Sequence, residues 1–443
     1  RGAPARAPPA VRADSAEARK MRHAEAASLM KWAAASEAAA CIGASLHMAS
    51  VLSGIECKPR DLNADPWLLA TPAEAIDLRT GETREHRQSD RVTLCAGTHL
   101  DVSAPRPVFD ALLARIFRTN PGVVPYLQRF LGFALTGCIH PEVMPVWFGT
   151  GGNGKSTLAT AIQNVFGDYA GPAPPGLLIA HRGDRHPTEL ADLQGKRLML
   201  ACESDEGARL NEGLVKQLTG GDRIKARRMH QDFYDFDPTH KLVLLTNHRP
   251  VIRGTDYGIW RRIHLVPFPE VIQSSERIPG IDAMLKAEAP GILAWIVEGA
   301  RLYAADGRVD PPPEVVAASE AYRADSDVLG GFLADCCAME QNASAKVGEL
   351  FRAYQAWCEE SGERPVAQRA FAEALTERGI GFGRGHGGVR IRLGIRVTQA
   401  TSVTQLSGYS PVDSSCEGKS NIASPCATNV TAAAYRTVRD GEP

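Results

Sequence analysis

Apolar residues along this chain recur at two spacings, and the spacing changes where the architecture is expected to change. From Val108 to Leu135 the helical spacing puts Phe109, Leu112, Leu113, Ile116 and Phe117 on one face, then Tyr126, Leu127, Phe130 and Leu131 on the next, with Gly137 ending the second helix. Upstream, Ser15 to Ser53 is rich in Ala, Met, Lys and Glu and reads as helices. Leu62 to Glu82 breaks into short apolar runs between turn residues, which predicts two short strands. From Pro145 to about Phe268 short apolar runs alternate with polar, helix-like stretches, the pattern of an α/β domain with a largely parallel sheet. Pro311-Pro312-Pro313 marks a boundary, and Glu314 to Cys337 reads as a helical pair. Beyond it, Leu350, Phe351, Tyr354 and Trp357, then Val366, Ala370, Phe371, Ala374 and Leu375, define two helices ahead of a glycine-rich hairpin from Gly379 to Arg392. Two helices and a β-ribbon suggest a winged-helix-like module.

The expected organisation is therefore a disordered lead over 1–14, a helical N-terminal domain over 15–140 and an α/β domain over 141–310. A helical connector over 311–345, the winged-helix-like module over 346–398 and a disordered tail over 399–443 complete it. With 443 residues, 44% of them hydrophobic and 23% charged, the chain has length for two or three globular domains. A net charge of -1 removes any global electrostatic case for a nucleic-acid partner, so that case has to rest on local clusters. The ten cysteines show no C-x-x-C pair and suggest reduced thiols, hence a cytoplasmic protein. No run of eighteen apolar residues predicts a membrane span and no secretory signal is seen; a start at Arg1 suggests a piece of a longer protein.

One segment narrows the chemistry sharply. Gly149-Thr150-Gly151-Gly152-Asn153-Gly154-Lys155-Ser156, followed by Thr157, fits G-x-x-x-x-G-K-[ST] at every fixed position. The glycines let backbone N–H groups turn inward on an anion, and the helix that follows offers its positive end. An apolar run over 143–148 precedes it, and Leu158, Ala161, Ile162 and Val165 form a helical stripe after it, giving the strand, loop and helix that ATP binding requires. Lys155 is expected on the β- and γ-phosphates and Ser156 on Mg2+. Arg197 to Glu203 reads as a strand that ends in an acid at the edge of a neighbouring strand, so Glu203 is the candidate for the magnesium shell and water activation, with Asp205 and Glu206 in reserve. Lys241 to Asn247 is a second such strand, and Asn247 is either a γ-phosphate sensor or a turn former. Arg261 and Arg262, after Trp260, suit an arginine finger or a surface ion pair. Lys225, Arg227, Arg228 and His230, followed by Phe233, Tyr234 and Phe236, suit a nucleic-acid grip or a solvated charged face.

Together the segments Phe148 to Thr157, Lys216 to Asp222, Leu245 to Pro250 and Arg253 to Ile263 resemble, in order and spacing, the superfamily 3 helicases of the AAA+ class. More narrowly they resemble the helicase part of phage and plasmid primase-helicases, related to the poxvirus type. Asp65 to Leu69 and Ile76 to Gly81 look like that family's helical preface domain, although Pro72-Ala73-Glu74-Ala75 stands where relatives usually carry Asn-Gly. The resemblance implies an ATP-dependent replicative DNA helicase, forming a ring, commonly a hexamer, with ATP sites between subunits and a hairpin that tracks single-stranded DNA while duplex is unwound. It implies that Lys225, Arg227, Arg228 and His230 lie on or near that hairpin, and it suggests an upstream primase domain or host replication proteins as further partners. A DNA-binding initiator or assembly platform without productive unwinding is the alternative, and a small-molecule kinase the third; the kinase leaves the basic stretch unexplained.

Overall fold

The computed structural model describes residues 16–52, 57–180, 188–203, 205–254 and 256–398. The expected lead over 1–14 and tail over 399–443 lie outside the described residues. The described chain starts with helices α1 (Ala16–Ser36) and α2 (Ala39–Ala49), followed by a small antiparallel sheet of β1 (Leu68–Ala70), β2 (Ala75–Asp77) and β3 (Thr83–Arg84). Helices α3 (Pro107–Ile116) and α4 (Val123–Leu135) come next; their predicted stripes are buried throughout. Then follow β4 (Met144–Phe148), α5 (Lys155–Phe166), β5 (Ala170–Pro172), α6 (Thr188–Ala191), β6 (Leu198–Glu203) and α7 (Glu212–Thr219). A ribbon of β7 (Ile224–Ala226) and β8 (Tyr234–Phe236) leads to β9 (Lys241–Thr246), α8 (Tyr257–Trp260) and β10 (Ile263–Pro267). Four helices follow: α9 (Ile281–Ala287), α10 (Ala289–Asp306), α11 (Pro313–Asp325) and α12 (Val328–Cys336). The chain closes with β11 (Cys337–Lys346), α13 (Val347–Glu360), α14 (Gln368–Glu377), β12 (Phe382–Arg384) and β13 (Arg390–Val397).

The chain divides into two compact units at Gly330. The first is built on a five-stranded sheet in the order β10-β4-β9-β6-β5, parallel at every pairing. Successive residues on its strands go to opposite faces, and both faces are covered. Trp147, Val243, Leu245 and Val266 join a core with α3, α4, α5 and α10, whereas Met144, Val146, Leu242, Leu244 and Leu265 join a second core with α7, α8 and Tyr322 of α11. Burial on both sides is what a parallel sheet needs, and it explains why these strands read as continuous apolar runs rather than alternating ones. Two buried cations tie α4 to the start of this sheet. Arg197, just before β6, donates to the Leu135 carbonyl at 2.7 Å, and Lys241, the first residue of β9, donates to the Cys138 carbonyl at 3.0 Å. Cations at a helix C-terminus complement its negative end, and here they fix the entry of two strands whose far ends carry candidate site residues.

In the second unit α13 and α14 cover a three-stranded antiparallel sheet of order β11-β13-β12. Leu350, Tyr354 and Phe371 are fully buried in its core, with Tyr354 and Phe371 stacked at 4.8 Å. The expected helices and hairpin are present. Residues 337–346, most of which fall in the stretch expected as a helical connector, instead form β11, because their backbone completes the sheet along β13. Among the described residues no helix is long and apolar enough to cross a membrane.

Candidate functional site

The phosphate-loop segment leaves the buried strand β4 and turns over residues 149–154 before α5 begins at Lys155. Three of its residues have a positive φ, Gly151 at 108°, Gly152 at 64° and Gly154 at 79°, which only glycine adopts without strain. Gly149 is needed for a different reason: a β-carbon there would lie 2.6 Å from the Phe268 carbonyl oxygen. The loop is held in shape by the buried Asn153, whose Oδ1 accepts from the Gly151 N–H at 2.7 Å and whose Nδ2 donates to the Glu270 carbonyl at 3.1 Å. Lys155 is buried and donates from Nζ to the Gly149 carbonyl at 2.7 Å; burial pushes its ammonium below the usual lysine range. Lys155, Ser156 and Thr157 form the first turn of α5, so their N–H groups have no intrahelical acceptor, the arrangement suited to receiving an anion.

Above the loop opens a cavity of about 670 Å³. Residues 151–157 and Asn247 line its polar end, and Val108, Leu112, Ile272, Ile278 and Ile281 its apolar wall. A polar cradle facing an apolar slot is the arrangement that holds a nucleotide's phosphates at one end and its base at the other. Two hard oxygen donors, the Ser156 hydroxyl and the Glu203 carboxylate, have the chemistry to hold Mg2+ together with phosphate oxygens.

The sheet sets where the other expected residues fall. Phe148, Thr246 and Glu203 stand in one row across β4, β9 and β6, so all three strands deliver their C-terminal ends to the same edge. Asn247 follows Thr246 directly and lines the cavity. Glu203 is half-buried and its strand is next but one to β4, with β9 between, rather than the immediate neighbour that sequence suggested. Two strand spacings place it roughly 10 Å from β4, and it is not part of the cavity lining. Asp205 and Glu206 are exposed in the following loop.

Arg261 and Arg262 lie at the other end of the sheet. They precede β10, and the Met144 N–H at the start of β4 donates to the Arg262 carbonyl at 2.6 Å. Both side chains meet the Glu142 carboxylate, Arg262 at 2.5 Å. Arg262 is buried and also donates to Thr219 Oγ1 at 3.0 Å and to the Gly258 carbonyl, whereas Arg261 is half-exposed. Five residues of strand separate the pair from the phosphate loop of the same chain, about 16 Å at the rise of an extended chain.

Lys225, Arg227, Arg228 and His230 occupy the ribbon of β7 and β8 and its turn. Ile224, Ala226 and Phe236 point into the second core, which leaves Lys225, Arg228 and His230 exposed. Phe233 is half-exposed at the tip, with Lys225 Nζ 5.4 Å and Arg227 Cζ 5.0 Å from its ring centre. His230 has a φ of 59°, which forms the tight turn.

Sequence reasoning missed the second wall of the cavity. It comes from α3 and from residues 270–281, more than a hundred positions to either side of one another. Arg115 of α3 bonds to Glu270 at 2.9 Å and to Glu276 at 2.9 Å, and the Ile272 N–H donates to the Gly152 carbonyl at 2.9 Å, stitching that wall to the loop. The acids and the isoleucines after β10 carry no motif, so spacing alone had no means to assign them.

A D5 N-terminal-like pattern matches residues 10–118, a family of unknown function (DUF5906) matches 147–262 and a poxvirus D5 protein-like pattern matches 324–378. A protein of Acanthamoeba polyphaga mimivirus named "Putative helicase L207/L206" is 27% identical over 67% of this chain and 33% of its own length. "Putative primase C962R" of African swine fever virus (isolate Warthog/Namibia/Wart80/1980) is 27% identical over 31% of this chain and 15% of its own. This chain thus spans about a third of the length of the first of these relatives. The solved apo structure of the NrS-1 C-terminal region aligns with 67% of this chain and 77% of that one, at 12% identity and a TM-score of 0.43.

Proposed function

This chain is a D5-like relative of large-DNA-virus proteins named as helicases and primases, and on that premise we propose that it is the ATP-driven motor of a replicative DNA helicase. ATP enters the 670 Å³ cavity, base against the apolar wall and phosphates in the glycine loop. The observation that carries this is the loop itself: three positive-φ glycines, a buried lysine and an unsatisfied helix N-terminus at the floor of one cavity.

Lys155 leaves the Gly149 carbonyl for the β- and γ-phosphate oxygens and offsets charge as it builds in the transition state. Ser156 would hold Mg2+ and Glu203, on the strand next but one along the sheet edge, its water shell; when bound the ion neutralises phosphate oxygens and orders them for in-line attack. Asn247 orients the attacking water, and Glu203 accepts its proton. Arg261 acts on the site of an adjacent subunit in a ring, in the commonest case a hexamer, while Arg262 holds the Glu142 network that positions it. The ribbon of β7 and β8 grips single-stranded DNA through Lys225, Arg227, Arg228 and His230, with Phe233 as a stacking face. The second unit acts as a winged-helix-like contact to duplex DNA. An upstream primase domain or host replication proteins would complete the assembly, in the cytoplasm.

The test is ATP hydrolysis by the purified chain with and without single-stranded DNA, beside Lys155→Ala. We expect stimulation by DNA and a loss of turnover of at least about a hundredfold in the variant, with an unchanged melting temperature. Turnover that survives Lys155→Ala sinks the loop assignment; turnover indifferent to DNA favours an ATP-binding assembly platform.

A further inference from the structure

Arg277 lines the same cavity, and neither the phosphate-loop motif nor the expected roles account for it. It follows a single turn, Ser274–Glu276, whose position is tightly determined. The Gln273 N–H donates to the Glu276 carboxylate at 2.9 Å, Arg115 clamps that carboxylate to α3, and the Ile272 N–H anchors the segment to the Gly152 carbonyl. The turn therefore presents Arg277 at a fixed place over the middle of the glycine loop: a β-carbon at Gly152 would stand 3.9 Å from its Nη2. Two arginines line the cavity, and their electrostatics differ. Arg115 is neutralised by Glu270 and Glu276. The Arg277 guanidinium makes no hydrogen bond or ion pair among the described residues, and the one acid beside it in sequence, Glu276, is spent on Arg115. An exposed arginine is ordinarily a solvated one. This one stands without a counter-ion beside inward-facing N–H groups, on a braced turn, with a five-donor fork suited to phosphate oxygens.

We infer that Arg277 is a second cationic ligand of the nucleotide's polyphosphate, supplied by the same subunit as the glycine loop and lying opposite Lys155. The inference rests on the proposal that the cavity binds a nucleoside triphosphate. It adds to the site a residue from the segment after β10, which the fold already holds against the loop. Phosphate could also come from the DNA backbone, so the test separates the two sources.

Titration calorimetry of the full 443-residue chain with ADP and Mg2+, at low and high NaCl, is compared for wild type, Arg277→Gln and Lys155→Ala. At low salt Arg277→Gln should weaken ADP binding roughly tenfold, and the gap should narrow at high salt because the lost contact is ionic. Affinity for single-stranded DNA without nucleotide should not change. Wild-type ADP affinity in Arg277→Gln overturns the inference, as does a loss independent of salt, or a loss confined to DNA. If wild type itself fails to bind ADP, or Lys155→Ala binds it normally, the nucleotide reading of the cavity falls, and the inference with it.

Discussion

Two buried histidines show how the interior of the first unit constrains single residues. His264 on β10 shares a 2.8 Å hydrogen bond between its Nδ1 and the Tyr126 hydroxyl, and burial pulls its pKa down to about 4. His240, just before β9, is pulled down to about 4 by burial and then by the adjacent Lys241 ammonium. A histidine whose folded pKa lies below its unfolded value of about 6.5 is neutral in the fold, so the stability it contributes is complete above that value. It is lost as pH falls toward 4, because the unfolded chain takes up a proton that the folded one refuses. Each histidine should therefore remove about 1.4 kcal/mol per pH unit within that window. Depressed carboxylates act lower: the stability that Asp90 contributes, its pKa held to about 2 by Arg84, is complete above the ordinary aspartate range and is lost only as pH falls from there toward 2. Thermal melts from pH 7.5 to 4.5 should show the slope, and His264→Gln, which keeps a polar partner for Tyr126, should halve it. Identical pH dependence in wild type and variant would rule out His264 as a titrating contributor.

Backbones of two elements meet closely where α4 crosses α10. A β-carbon at Gly299 would lie 2.0 Å from the Gln128 carbonyl oxygen, and one at Gly132 would lie 2.0 Å from the Ala300 amide nitrogen. Backbone meets backbone, so no rotamer change can relieve the clash, and Gly299→Ala should cost about 3 kcal/mol as the helices are forced apart. Chemical denaturation measures it, and a variant as stable as wild type would mean that the helices cross further apart. The crossing was not legible in the sequence, where both residues are just glycines inside helical patterns. The helices themselves were, because Phe109, Leu112, Tyr126, Phe130, Leu158 and Ile162 recur at a helical spacing that follows from which side must be dry. Strand β11 was not: Ala338 to Lys346 has few large apolar residues, and it belongs to a sheet through backbone bonds to β13, which lies about fifty residues away. The glycine loop was legible residue by residue because phosphate chemistry restricts what can stand there. The facing wall over 270–281 was not, since its members are joined to Arg115 and Gly152 only by the fold.

At the scale of the whole molecule the parallel sheet separates what one active site needs. The glycine loop and Asn247 emerge at the C-terminal ends of β4 and β9, while Arg261 stands at the start of β10, a strand length away on the opposite end. One chain cannot close that distance without dismantling β10, whose neighbours are buried. A second copy can, if subunits associate head to tail so that the Arg261 end of one faces the loop of the next; such a heterologous contact gives a ring when the rotation between subunits closes. On this proposal Arg261→Ala should lose roughly a thousandfold in hydrolysis while retaining nucleotide affinity, because it removes a contact made in the transition state. Arg262→Ala should differ in kind, since its buried guanidinium holds Thr219 and the Glu142 carboxylate and its loss should lower the melting temperature. Mixing inactive Arg261→Ala with inactive Lys155→Ala provides the decisive case. Wherever an intact loop from the first meets an intact arginine from the second, a complete site forms, so an equal random mixture should recover roughly a quarter of wild-type turnover. Mixed assemblies verified by mass spectrometry that stay inactive would show that Arg261 does not act across a subunit boundary, and would make its bond to Glu142 the whole of its role.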